Sequence, residues 1–528
     1  MEKRLLKKII KILLKEKIKT KSSLEDFKRR IAKRFKIPLL KNTTLLETYQ
    51  EMVNEKEIKR DEKIEEILKT RPIRSLSGIV NVSVLTKPYS CPGSCIFCPK
   101  ENGVPKSYLK KEPAVQRAIL NKYLPYFQLK SRLDSLKVEG HPCDKIELRI
   151  IGGTWSFYPK SYQTWFIKEC FRAANEYGQR KSKKRDLFSL QKRNEKASSH
   201  IVGISIETRP DFINEDEIKR LRILGITQVE LGVQSIYDDV LEKIKRGHSV
   251  QATIEATRAL KDAGFKVLYQ VMPNLPGSNL KRDILMFKEI FENQNFKPDF
   301  LKIYPLALLK NTPLYLSYKK GMFRPYTLKE LLWLLFEIKK MVPFWCRIQR
   351  VVRDIPKEEI VEGGVKVSNL RELIQKKLKE KGLSCRCIRC REIMGRKASL
   401  QKIYLFREDY QASFGKEVFL SFEDKNRETL FGYLRLRLPS PKKPVFKVLE
   451  NSAIIRELKV CGKLIEVGEK SRFVQHRGLG KKLVKEAQNI AKNEFKVKKL
   501  AVISGIGARD YWRKLGFGLK ESYMVKSL

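Results

Sequence analysis

The sequence predicts an α/β protein, a partial (β/α)6 barrel followed by a separate α+β domain. Three observations predict it. From Gly78 onward short apolar segments alternate with helical patterns, the rhythm of a parallel sheet or barrel. From about Lys402 the pattern changes to successive strands, a glycine turn, a helix and a further strand. At 528 residues the chain also exceeds what one core serves, since a domain takes about 150 residues.

The barrel strands are expected at Ile79 to Leu85, Ile146 to Ile151, Ile201 to Ile206, Val229 to Val233, Val267 to Val271 and Phe300 to Tyr304. Helices from Tyr162 to Tyr177, Glu215 to Leu224 and Ala252 to Ala263 separate several of them, and Gly225 and Gly264 stop the last two. In such folds the chemistry gathers at the C-terminal ends of the strands. The later domain is read from strands at Val418 to Phe422, Leu430 to Leu438, Ile454 to Val460 and Leu500 to Ser504, with a helix from Lys481 to Asn493. Leu5, Ile9, Ile10, Leu13 and Leu14 lie at helical spacing among lysines, so the start reads as a basic amphipathic helix. The expected units are therefore a basic helical arm over 1–70, the barrel over 71–345, a linker over 346–401 and the α+β domain over 402–528.

Lys and Arg number 111 against 60 Asp and Glu, a formal charge of +51. Such an excess favours a polyanionic partner, and residues 1–41 concentrate it with 16 basic and 4 acidic side chains. A second basic cluster contains Arg180, Lys181, Lys183, Lys184 and Arg185. Nucleic acid and an anionic membrane surface would both attract such groups, and general lysine usage explains part of the charge. No apolar run approaches the roughly 20 residues of a membrane span, and the start lacks the features of a signal peptide, so no membrane role is expected. Six of the ten cysteines fall in two tight groups, better placed to share metal centres than to bridge distant strands. That use of cysteine points to a reducing, cytoplasmic compartment.

Cys91-Pro-Gly-Ser-Cys95-Ile-Phe-Cys98 follows directly on the first strand. Three thiolates on one short loop can hold three irons of a 4Fe-4S cluster and leave the fourth open to an external ligand. The motif closely resembles that of the radical S-adenosylmethionine family, in which the cofactor chelates the open iron and is cleaved to a 5'-deoxyadenosyl radical. A structural zinc site is the competing reading, but zinc wants a fourth ligand and leaves the barrel behind the loop unexplained. Gly152-Gly153 ends the second strand, where missing side chains expose backbone to the methionyl end of S-adenosyl-L-methionine. Glu207, ending the third strand, is placed to accept hydrogen bonds from the ribose, or else to pair with Arg209.

Gln475-His-Arg-Gly478-Leu479-Gly480 lies between a strand and a helix and resembles the turn of the GNAT acetyltransferases. Backbone N–H groups and the positive end of the helix can cradle the pyrophosphate of coenzyme A there. Ile454 to Val460 occupies the place of the strand that pairs with the pantetheine amides in that fold. Tyr511-Trp512 stands where the fold puts an aromatic beside the thioester, with core packing as the alternative.

A radical cluster loop, a basic arm and a GNAT domain in this order resemble the family of the Elongator catalytic subunit, including its stand-alone archaeal and bacterial members. Further matches include Lys106-Ser-Tyr108, Glu207-Thr-Arg-Pro-Asp211, Glu230-Leu-Gly-Val-Gln234, Leu301-Lys-Ile-Tyr-Pro305 and Cys385-Arg-Cys-Ile-Arg-Cys-Arg-Glu392. The resemblance implies a tRNA carboxymethyluridine synthase acting on the wobble uridine, position 34. In that chemistry the radical activates the methyl group of acetyl-CoA for addition to uracil C5, which an ordinary acyl transfer does not reach. It further implies cofactor contacts from Gln234, acetyl-CoA contacts from Lys145, from Glu457, Leu458, Lys459 and Val460, and from Leu479, Gly480 and Lys481. Lys145 and Tyr511 would be the catalytic pair. Cys385, Cys387 and Cys390 resemble the family's zinc site, for which Cys346 is one candidate fourth ligand. Two departures stand out: Trp512 replaces a tyrosine, and Cys461-Gly462 replaces Tyr-Gly.

The implied partners are tRNA and a reductant or electron-transfer protein. Whether the chain works alone, as a homodimer or in a larger assembly is open from sequence. A protein lysine acetyltransferase with a structural cluster domain and a non-catalytic RNA-binding subunit are the competing readings; intact cysteine and glycine motifs argue against the last.

Overall fold

The computed structural model describes residues 3–16, 18, 20–70, 75, 77–180, 186–393, 402–462 and 478–528. The basic stretch 181–185 and Gln475 fall outside the described residues. The chain opens with α1 (Lys3–Lys15), α2 (Lys21–Phe35), α3 (Asn42–Asn54) and α4 (Glu62–Leu68). Thr20 and Ser23 form a capping box on α2 and Asp61 caps α4, satisfying N–H groups that a helix start leaves free. The apolar stripe of α1 turns inward: Ile9, Ile10 and Leu13 are buried in a cluster with Phe27, Ile31, Tyr49 and Met52. The described residues among the first 70 thus form four helices that share a core of their own.

Seven parallel strands follow in sequence order across one sheet: β1 (Ile79–Leu85), β2 (Lys145–Ile151), β3 (His200–Thr208), β4 (Gln228–Gln234), β5 (Lys266–Val271), β6 (Phe300–Ile303) and β7 (Arg347–Arg350). All six expected strands are present. The seventh, with the sequence Arg-Ile-Gln-Arg, has no apolar run to announce it; pairing with β6 and the Arg347 N–H donated to the Asp299 carbonyl at 3.0 Å hold it. It carries the sheet past residue 345 into the stretch expected to be linker.

The second sheet contains β8 (Tyr404–Ala412), β9 (Gly415–Glu423), β10 (Leu430–Leu438), β11 (Ser452–Val460), β12 (Lys499–Val502), β13 (Gly518–Lys520) and β14 (Tyr523–Ser527), in the order β13-β14-β12-β11-β10-β9-β8. Only β11 and β12 pair in parallel. Leu483, Val484 and Ala487 of the helix Leu479–Asn489 are buried in the apolar cluster that holds Leu434, Leu436 and Ile455.

The two sheets meet through charge. Asp299, which ends the loop before β6, pairs with Arg456 through Oδ2 at 2.8 Å and lies 3.7 Å from both Lys261 and Arg435. Glu417 receives Arg456 Nη2 at 2.9 Å and Arg437 Nη1 at 3.0 Å, while Asp262 receives Arg437 Nη2 at 2.6 Å. The side chains of Asp299, Lys261, Glu417, Arg435, Arg437 and Arg456 are all fully buried. Close backbone approach completes the seam: a Cβ on Gly505 would collide with the Val202 carbonyl at the start of β3. Removing one charge from such a network strands its partners without water. Asp299→Asn is therefore expected to cost about 3–5 kcal/mol of stability, read as a lower denaturant midpoint, whereas an unchanged midpoint refutes the stabilising role.

Candidate active site

The cysteine loop follows β1 and caps the C-terminal ends of the barrel strands. Cys95 and Cys98 are buried and Cys91 is half-buried. Burial pushes the Cys98 thiol up to about 11 in the absence of a metal. Among the described residues only Cys385, Cys387 and Cys390 bring three ligand atoms within 4.8 Å of one another, so the Cys91 group is the more open of the two. A wide trio on a single loop suits a multi-iron cluster, and a tight trio suits a single ion.

Around the loop, Arg246 Nη1 donates to Cys95 Sγ at 3.5 Å and Lys106 donates to the Gly93 carbonyl. Gly152 and Gly153 have φ of +131° and +110°, and a Cβ on Gly152 would collide with the Thr86 side chain, so backbone faces the cavity there. Glu207 accepts from Tyr108 at 2.7 Å and from Gln270 at 3.0 Å, with Lys302 at 3.5 Å. Arg209 turns instead to Asp211, at 2.8 and 2.9 Å, so the alternative pairing is not formed. Gln234, with φ of +68°, lines the same cavity of about 1150 Å³ as Cys91, Cys95, Cys98, Gly152, Gly153 and Glu207.

Charged side chains fill the barrel interior. Glu230 sits in the middle of the wholly buried β4, taking Arg149 Nη2 at 2.9 Å and the Lys302 ammonium. Burial alone would raise its carboxyl, yet Lys302 and Arg149 bring it down from 4.5 to about 2. Arg149, Gln270, Lys302 and Arg246 were missed as site residues from sequence. A charge interrupting an apolar strand run, as Lys302 does in Phe300–Ile303, is the available signal.

On the far side of that interior lies a second cavity of about 710 Å³, lined by Lys145, Glu457, Leu458, Lys459, Tyr511 and Trp512. Pairing of β11 with β12 stops at Ile455, so the rest of β11, through Val460, runs on without a strand partner on that side. The parting leaves a backbone edge fitted to an amide-bearing chain. Gly478 (φ +68°) precedes Leu479, Gly480 and Lys481 at the helix start, and a Cβ on Gly480 would stand 2.9 Å from the Tyr511 hydroxyl. Burial raises the Tyr511 phenol above its ordinary value. Trp512 is 5% exposed and meets Phe517 edge-on at 5.4 Å, so most of its ring packs in the core.

The two cavities share walls. Arg149, Lys302, Arg347 and Lys459 line both, and Cys461 and Gly462 line the first. Lys459 and Arg347 converge on Glu392, at 2.9 Å from Lys459 Nζ, and hold its carboxyl at about 2 despite burial. Glu392 lies two residues beyond the tight cysteine trio. Lys339 Nζ stands 3.1 Å from Cys390 Sγ, and Cys346 is not part of the trio.

Residues 85–287 match the Radical SAM superfamily and residues 298–380 match the Radical_SAM C-terminal domain. The chain is 47% identical over 477 residues to a tRNA uridine(34) acetyltransferase of Methanocaldococcus infernus, covering 88% of each. It is 39% identical over 481 residues to Elongator complex protein 3 of Homo sapiens, covering 87% of this chain and 86% of that one. A solved structure of the archaeal Methanocaldococcus infernus Elp3 with an N-terminal deletion superposes with a TM-score of 0.75 at 44% identity, covering 86% of this chain and all of that one.

Because Glu230 and Glu392 have folded values near 2 against an ordinary 4.5, their ion pairs stabilise the fold above about pH 4.5 and lose that contribution as the pH falls toward 2. Denaturant midpoints are expected to decline from pH 5 to pH 3, with a shallower decline in Glu230→Gln; equal slopes would remove Glu230 from the account.

Proposed function

This chain belongs to the family of tRNA uridine(34) acetyltransferases and Elongator complex protein 3, and from that premise we propose that it is a radical S-adenosylmethionine enzyme that modifies the wobble uridine of tRNA with a group drawn from acetyl-CoA. The observation that carries the joint chemistry is the shared wall between the two cavities. A separate acetyltransferase site would have no need to share its lining with the interior behind the cysteine loop.

A 4Fe-4S cluster with S-adenosylmethionine supplies, when bound, the hydrogen-abstracting power that uracil C5 chemistry demands. Cys91, Cys95 and Cys98 would hold the cluster; Gly152 and Gly153 leave backbone open to the methionyl end, and Glu207 and Gln234 serve the ribose side. Glu207 is already oriented by Tyr108 and Gln270, so little reorganisation is asked of it.

For acetyl-CoA, the N–H groups at Gly478, Leu479, Gly480 and Lys481, together with Gln475 by sequence, take the pyrophosphate at the start of an eleven-residue helix. Glu457, Leu458, Lys459 and Val460 offer the edge for the pantetheine amides. Lys145 directs its ammonium to the acyl end. Tyr511 keeps its proton at neutral pH and can donate it there, a role Trp512 lacks the hydroxyl to share. The basic α1–α4 unit binds tRNA phosphates, and the wobble base leaves its stack to enter the cavity.

Cys385, Cys387 and Cys390 take one zinc ion, which fixes the segment carrying Glu392 against Arg347 and Lys459. No helix among the described residues is long and apolar enough to cross a membrane. We place the activity in the cytoplasm, with tRNA and an external reductant as partners.

Anaerobic protein given tRNA, S-adenosylmethionine, reductant and acetyl-CoA is expected to yield a C5 adduct of uridine 34 by nucleoside mass spectrometry, abolished in Cys95→Ala. Acetyl-lysine formed without reductant, and no nucleoside product, would overturn the reading. Lys145→Ala should weaken acetyl-CoA binding about tenfold or more in titration calorimetry while leaving S-adenosylmethionine binding intact. Cys387→Ser should lose zinc and keep iron by elemental analysis; loss of both metals together would assign the trio to the cluster instead.

A further inference from the structure

Four aromatic rings run in contact from the cysteine loop to the outer surface of the barrel. Tyr89, two residues before Cys91, stacks on Tyr158 at 4.9 Å and 27°. Tyr158 stacks on Tyr162 at 5.0 Å and 23°, and Tyr162 meets Trp165 at 5.5 Å and 37°. The row is fixed in place: the Tyr158 hydroxyl donates to the Lys87 carbonyl at 2.7 Å, and the Lys87 N–H donates to the Tyr162 hydroxyl at 3.0 Å. Tyr158 is 5% exposed and lines the cavity with Cys91, while Trp165 at the far end is 40% exposed. Trp165 is the exposed aromatic of a helix on which Phe166 and Phe171 are buried and Tyr162 is half-buried, and such a ring invites an occupant.

The charge around Trp165 says what kind. Lys87 stands over the Tyr162 ring at 5.1 Å, Arg220 reaches across to the Thr164 hydroxyl at 3.0 Å, and Lys168 lies one helical turn beyond Trp165. The nearby carboxylate Glu169 is already engaged by Arg172. An exposed aromatic with Lys87, Arg220 and Lys168 on or against neighbouring residues fits the acidic face of a small protein.

We propose that Trp165 and its basic surround form the docking surface for an acidic, low-potential one-electron carrier protein, with the row Trp165–Tyr162–Tyr158–Tyr89 as the packed path to the cluster. The proposal rests on the cluster assignment above. One electron leaves the reduced carrier and enters the cluster, and no proton or bond changes hands in the step. The rings act as a continuous medium for tunnelling and are not themselves oxidised or reduced. Entry from the side runs along the wall of the cavity, where Tyr89 and Tyr158 lie, and leaves its interior to the tRNA base and cofactor.

The test follows reduction of the reconstituted cluster by absorbance and electron paramagnetic resonance, with a reduced acidic plant-type ferredoxin or with dithionite as donor. Trp165→Ala and the double variant Lys87→Glu/Lys168→Glu are expected to slow reduction by ferredoxin about tenfold or more and to leave reduction by dithionite unchanged. Wild-type rates with ferredoxin should fall as salt rises, and those with dithionite much less. Equal ferredoxin rates in all variants would overturn the proposal. So would a loss of tRNA affinity in Trp165→Ala with electron entry intact, which would make the patch an RNA contact. Failure of dithionite to reduce the wild-type cluster would instead strike at the cluster assignment itself.

Discussion

The ionic network at the seam between the sheets is the constraint on which the rest depends. Asp299 and Lys261 belong to the barrel, while Arg435, Arg437, Arg456 and Glu417 belong to the second sheet, and all are removed from water. Taking so many charges out of solvent costs several kcal/mol for each ion, and only good geometry with opposite charges in reach offsets it. An apolar seam of similar size could hold the sheets together as firmly. What charge adds is selectivity of position, because a shift along the seam separates Arg456 from Asp299 and Lys261 from Glu417 at once. Gly505 reinforces this, since its contact with Val202 tolerates no added atom.

That fixed position gives β11 its setting. The strand leaves β12 at Ile455, one residue before Arg456, so the residue that anchors the seam also marks where the free edge begins. Beyond it, Glu457 is bound to Arg435 of the neighbouring strand β10, which itself lies 3.7 Å from Asp299 of the barrel, and Lys459 is bound to Glu392 of the cysteine-bearing segment. Lys459 is also one of the residues that line both cavities, with Arg149, Lys302 and Arg347, so domain docking and strand divergence together set part of their common wall.

A barrel lined with Glu230, Arg149, Lys302 and Glu207 is less stable than one filled with branched aliphatic side chains, yet an apolar filling would remove the polar wall that Arg149 and Lys302 give to both cavities. The charges are mutually satisfied: Lys302 approaches both carboxylates, and Gln270 donates to both. Such a layer stays polar and open without leaving isolated charge in the interior.

Much of this was legible in the residues. Apolar runs set β1 to β6 because a strand buried on both faces cannot carry polar side chains freely, and the cysteine loop shows by its spacing that three thiols can share one centre. Lys145 lies hundreds of residues from Glu457 and Tyr511, and their meeting around one cavity depends on long-range packing that no local pattern encodes. The same holds for β7, whose four residues become a strand only against β6, and for the first 70 residues, whose stripe finds its partners within α1 to α4. Sequence by itself determined which elements form and which thiols can share a metal, because those depend on neighbours along the chain. Only the tertiary structure decided that the two cavities share a wall and that four aromatic rings line up from the cysteine loop to the surface, because both arise from contacts between distant segments.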